Sequence, residues 1–194
     1  MALLDGTYTD TRTLFRDLRQ LILLQPTAAF QDMNWKKASE LLLHIAFLTG
    51  LIYAVTAAYG PGLNPGKNVW AVLVGGTQFI LILGVLTILE TGILHALLSF
   101  TGQHSPGDTY SAVALSTIVA PGLYLVNNAF PLALARVTTP LLFGYLLYIQ
   151  YAGIRELHGT GKNKAVLSVL ASLLLLIGFL VLGPRLTGGF IEYR

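Results

Sequence analysis

Three side chains could do chemistry in an otherwise apolar setting: His44, Glu90 and His95. A carboxylate and two imidazoles can relay protons or hold a divalent metal such as zinc. Each lies in a long hydrophobic stretch, where an ionisable group is costly and marks a functional candidate. Spacing limits what they can do together. Glu90 and His95 are five residues apart, about 140° around a helix, so they do not share a face. Thr87 and Glu90 do, as do Thr91 and His95. A structural role competes, with Glu90 hydrogen-bonded to Thr87 or to another helix and the histidines at the headgroup boundary.

Asn127 and Asn128 beside Pro121–Gly122 form a second candidate. They could line a cavity at a broken helix, as in transporters. The competing reading is a cap or turn at a helix end. The segment GTGKN at 159–163 is only superficially like a phosphate loop. It lacks the full spacing and the strand before it, so nucleotide binding is not expected. Tyr145, Tyr148 and Tyr151 recur every three residues and so cluster on one face, as packing or interfacial aromatics. His104 and His158 fall in links and are expected to be solvated. No Ser-His-Asp or paired-carboxylate arrangement occurs in a water-accessible context. No enzyme, catalytic residue, resident metal or cofactor is expected. With no cysteine in the chain, disulfides and thiolate sites are excluded. Net charge is +3 with no run of five basic residues, so nucleic acid is not an expected partner.

The elements that must position these residues are legible from hydropathy. Of 194 residues, 54% are hydrophobic and 11% charged, against about 25% charged in an ordinary soluble domain. Stretch 69–100 carries one formal charge, Glu90. As a helix it measures about 48 Å, more than the ~30 Å hydrocarbon core of a bilayer. It must tilt, bend at Gly75–Gly76 or project. Four more apolar stretches surround it. The expected fold is all-α, a polytopic transmembrane bundle of five spans at 39–59, 69–100, 109–129, 138–157 and 165–183. Ser39, Thr138 or Thr139 ahead of Pro140, and Asn163 are the expected caps. Pro121–Gly122 predicts a kink inside the third span. Residues 184–194 are a short tail.

Residues 1–38 are expected to be a cytoplasmic segment holding an amphipathic helix at 11–24. There Leu14, Phe15, Leu18, Leu21 and Ile22 share one face, and Arg12, Arg16 and Arg19 the other. That pattern suits a helix in the membrane interface with its arginines on anionic headgroups, or one packed on the end of the bundle. Phe30 and Trp35 fit an aromatic belt, and Lys36 and Lys37 the membrane edge. Orientation follows the positive-inside bias. Arg12, Arg16, Arg19, Lys36 and Lys37 join Arg155, Lys162 and Lys164 on one side. Lys67, Arg136, Arg185 and Arg194 lie on the other. The N-terminus is therefore expected in the cytoplasm and the C-terminus outside.

Three segments carry a family resemblance: LILLQPTAAF at 21–30, SPGDTYSAVALSTIVAPGLYL at 105–125, and YIQYAGIRELHGTGKNKAVLSVL at 148–170. Together the chain resembles the Yip-type membrane proteins, a five-span family named for its eukaryotic Ypt/Rab-interacting members. The resemblance implies five spans, a cytoplasmic N-terminus and, in eukaryotic members, vesicle trafficking and GTPase binding. Their long cytoplasmic N-terminal region has no counterpart here. The chain is more similar to short prokaryotic members, and the trafficking role is not carried over. The expected function is a non-enzymatic integral membrane scaffold or adaptor. Its cytoplasmic face, built from Arg12, Arg16, Arg19, Lys36, Lys37, Lys162 and Lys164, would bind membrane lipid, a protein partner or a second copy. Two alternatives stand beside it. One is a small ion or proton permeation protein using Glu90, His44 and His95. The other is an accessory subunit of a larger membrane complex.

Overall fold

The computed structural model of the chain describes residues 11–22, 25–59, 65–100, 104–119 and 132–186, with Gly102 and Gly122. Among these residues the elements are seven helices. They are α1 (Thr11–Ile22), α2 (Pro26–Phe30), α3 (Trp35–Tyr59), α4 (Pro65–Ser99), α5 (Pro106–Thr117), α6 (Leu132–His158) and α7 (Lys162–Leu186).

Helix starts differ from the expected caps, for physical reasons. Ser39 caps nothing. Asn34 does, its Oδ1 accepting from the backbone N–H of Lys36 and of Lys37 at 3.0 Å each, so α3 opens four residues earlier. Ser39 instead turns its hydroxyl onto the Trp35 carbonyl at 2.7 Å. α6 does not begin at Thr138 or Thr139 either. Pro140 lies inside it, and Thr138 donates back to the Leu134 carbonyl at 3.0 Å. Asn163 falls within α7, which starts at Lys162. α4 passes Gly75–Gly76 as one continuous helix of 35 residues, about 52 Å long, so its excess length is not relieved by a break there. Ser105 caps α5 by accepting from the Asp108 N–H at 3.4 Å, with Pro106 in the first turn. Gly159, at φ +60, ends α6 in the left-handed conformation that a side chain resists.

The centre of the bundle is α5. It packs against α3, α4 and α6. Every residue from 111 to 117 is buried. Ser, Ala, Val and Thr dominate that run, and small side chains let neighbouring helices approach closely. Around it α3 packs on α4, α4 on α7, and α7 on α6, while α2 lies on α6 and α1 on α2. Two apolar cores result. One joins Leu21, Phe30, Leu41, Leu115 and Ile149. The other joins Leu94, Leu98, Val113, Ile154 and Val169.

The outer surface is apolar as well. Leu81, Ile82, Val85 and Ile88 on α4, Val137 and Leu141 on α6, and Leu167 and Leu174 on α7 all stand exposed. Soluble monomers rarely expose so continuous an apolar surface. Among the described residues, Ile80–Ser99 and Ala133–His158 are long and apolar enough to cross a membrane. The molecule is an all-α integral membrane protein.

Candidate functional site

The cationic face begins on α1. Leu14, Leu18 and Leu21 pack against the first core, while Arg12, Arg16 and Arg19 are exposed. Phe15 departs from the expected apolar face: 66% of it is exposed. Asp17 is buried and accepts from Arg16 Nε at 3.0 Å. The last carbonyls of a helix lack partners within it. The Tyr145 hydroxyl supplies one to the Leu21 carbonyl and pins the end of α1 to α6. An apolar groove of about 320 Å³ runs alongside, lined by Leu18, Leu21, Val119, Leu142 and Tyr145 among others.

Phe30 is not part of an interfacial belt. It is 1% exposed, and its ring tip is seated on Gly153 of α6. Trp35 is half exposed, with the Lys36 ammonium 5.9 Å from its ring centre. Lys37 Nζ donates to the Asp32 carbonyl at 3.0 Å. Lys162 and Lys164 are exposed at the start of α7. Trp35 adjoins Gly107 at the start of α5, and Thr109, two residues on, bonds His158 at the end of α6. Lys36, Lys37, Lys162 and Lys164 therefore share one end of the bundle.

The three candidate polar residues within the apolar stretches have separate partners. Glu90 Oε1 accepts from Gln150 Nε2 of α6 at 2.8 Å. Gln150 is fully buried, and its own Oε1 has no partner among the described residues. His44 is exposed on α3 and bonds the Glu40 carbonyl at 2.7 Å through Nδ1. His95 turns to Thr109, Nδ1 to Oγ1 at 3.4 Å.

His104 and His158 are not simply solvated. Their rings meet edge to face at 4.9 Å. Thr109 Oγ1 lies 3.1 Å from His158 Nε2. The same hydroxyl donates its one proton to the Ser105 carbonyl at 3.1 Å. With that proton so placed, the hydroxyl offers its two lone pairs to the facing ring nitrogens of His95 and His158. Thr109 thus ties α4, α5 and α6 together at one end. Among the described residues no three His, Asp or Glu side chains are placed as metal ligands. Pro121, Asn127 and Asn128 lie outside the described residues.

Sequence reasoning missed Gln150 as the partner of Glu90, Thr109 as a bridge and Gly153 as a seat. For Thr109 and His158 a signal existed. Both sit where adjacent antiparallel helices meet the same side of the bundle.

The profile described as the Yip1 domain matches residues 20–183. No curated protein and no solved structure matches the chain.

Proposed function

The chain belongs to the Yip1 domain family, and from that premise we propose that it is a non-enzymatic five-span membrane scaffold whose cytoplasmic face binds anionic lipid and through it recruits or organises a protein partner. The family is not known as an enzyme family. One observation carries the reading. α1 is fixed to the bundle by Leu14, Leu18, Leu21 and the Tyr145–Leu21 bond, and it holds Arg12, Arg16 and Arg19 outward. A helix that is already folded and anchored presents its charges without a further ordering cost. Lys162 and Lys164 supply a second, separate basic surface at the bundle end.

Each basic residue near an anionic surface contributes about 1 kcal/mol. Replacing Arg12, Arg16 and Arg19 by Gln is expected to weaken retention of phosphatidylglycerol over phosphatidylcholine, read by native mass spectrometry, by on the order of a hundredfold. Unchanged retention in a variant with an unchanged melting temperature would sink the reading. The permeation alternative draws on the Glu90–Gln150 pair and the unpartnered Gln150 Oε1. It predicts proteoliposome flux that Glu90→Gln removes. The scaffold reading predicts no flux in either protein.

A further inference from the structure

We propose that the polar face of α1 lies below the headgroup plane, where Arg16 and Arg19 draw phospholipid phosphates and water into the bilayer and thin it beside α5 and α6. This rests on the reading of α1 as an anionic-lipid contact and adds where in the membrane that contact is made.

The depth follows from α6. Arg136 and Arg155 bracket its apolar stretch and stand nineteen residues apart, about 28 Å along the axis. That matches the ~30 Å hydrocarbon core. Tyr145 lies halfway, nine residues from one and ten from the other. Its hydroxyl holds the Leu21 carbonyl. Leu18 and Leu21 share a groove with Leu142 and Val119. The C-terminal half of α1 is therefore level with the middle of the span. Phe30, nine residues on, sits against Gly153, close to the Arg155 level. The chain descends from there to reach Leu21.

The arginines cannot escape that depth through the backbone. Arg19 is two residues from Leu21 and Arg16 five, at most about 3 Å and 7.5 Å along the helix. The level of Arg155 is about 15 Å from Tyr145. Even with α1 pointing straight toward it, both Cα atoms stay inside the hydrocarbon span. Both side chains are nevertheless exposed. Asp17 pairs with Arg16 through Nε at 3.0 Å, yet the Arg16 side chain stays half exposed, and with three arginines to one aspartate α1 remains cationic, Arg19 included. An arginine facing hydrocarbon is relieved by snorkelling, water entry and local thinning. The guanidinium fork binds phosphate oxygens in pairs. A phospholipid phosphate supplies the matching charge, and the apolar groove beneath α1 takes an acyl chain of that lipid.

The chain has no cysteine, so single labels report cleanly. The full chain is reconstituted in vesicles of two parts phosphatidylcholine to one part phosphatidylglycerol. A spin label is placed at Phe15→Cys on α1, or at Leu141→Cys on the exposed face of α6 near Tyr145. Collisions with a water-soluble nickel chelate and with oxygen are compared. The expected result is an oxygen-rich Leu141 label and a nickel-accessible Phe15 label, with nickel access at Phe15 falling severalfold in Arg16→Gln/Arg19→Gln. Arg16→Lys/Arg19→Lys, which keeps the charge, retains most of it. An oxygen-rich Phe15 label, nickel access at both labels, or nickel access untouched by the Gln pair each overturns the proposal. Phosphatidylglycerol retention on the same variants separates the two readings. Retention lost on the Gln pair with an oxygen-rich Phe15 label leaves lipid binding standing and removes the submerged contact. Retention unchanged removes the lipid reading itself.

Discussion

Gly153 shows how much one missing methyl group decides. A Cβ there would stand 2.6 Å from Phe30 Cζ and 2.8 Å from Ala112 Cβ. Neither neighbour is free to give way, since both are buried. Gly153→Ala is expected to destabilise the protein by about 1–3 kcal/mol, the usual range for overpacking a close-packed core. Thermal melting in detergent measures it. Shortening the ring partner in Gly153→Ala/Phe30→Leu should recover part of the loss, because the clash is with that ring. A melting temperature equal to wild type in the single variant would mean that α2 does not seat there. In the sequence Gly153 is one glycine among twenty, and nothing in its neighbours marks it as the seat of a side chain 123 positions away. Glu90 was half legible. Its need for a partner followed from burying a carboxylate, but Gln150 could be identified only once α4 and α6 were placed together. Likewise Thr109 reads as an ordinary helix residue until His95 and His158 converge on it.

Local rules placed the helices and misjudged their ends. Hydropathy identifies the apolar stretches because burial and lipid both demand the same residue types. The first turn of a helix is decided by one side chain, and several polar residues compete for it. Asn34 and Ser39 both suit a cap, yet Asn34 takes the role by meeting two N–H groups, and Ser39 lies inside the helix as a link to Tyr110 at 3.2 Å. Asn34→Ala is expected to cost about 1 kcal/mol, whereas Asn34→Gly or Asn34→Asp should cost far less. Chemical denaturation in mild detergent distinguishes them. An Ala variant as stable as wild type would mean that the α3 start is satisfied some other way. Pro140 teaches the complementary point. Proline favours a first turn, but a helix in an apolar setting gains by continuing through it, since the alternative exposes several backbone groups without water. Thr138 back-bonds to Leu134 one turn before it. The amphipathic pattern of α1 was legible, but not its depth, because periodicity reports faces and not height in a bilayer.

At the scale of the molecule, the long stretch 69–100 dominated the sequence and the short α5 dominates the packing. α5 is weakly hydrophobic and carries Thr, Ser and Ala, so hydropathy undervalues it. Close approach of neighbouring helices depends on small side chains, and that is what places it between α3, α4 and α6. The same arrangement gathers the start of α3, the start of α5, the end of α6 and the start of α7 at one end, through Trp35 against Gly107 and Thr109 against His158. Lys36, Lys37, Arg155, Lys162 and Lys164 accompany that end, whereas Arg136 lies at the far end of α6. Cytoplasmic flanks gather Lys and Arg, so that end is expected inside. Single cysteines at Lys162 and at Gly62, in the link between α3 and α4, test this in intact cells. An impermeant maleimide added outside should label Gly62→Cys and leave Lys162→Cys unmodified until the cells are opened. Lys162→Cys labelled from outside would invert the bundle and place its basic end away from the anionic cytoplasmic leaflet, removing the electrostatic basis for the scaffold reading. Labelling of both from outside would mean that the two ends do not lie on opposite sides. The positions of α3, α6 and α7 relative to the bilayer would then have to be drawn anew.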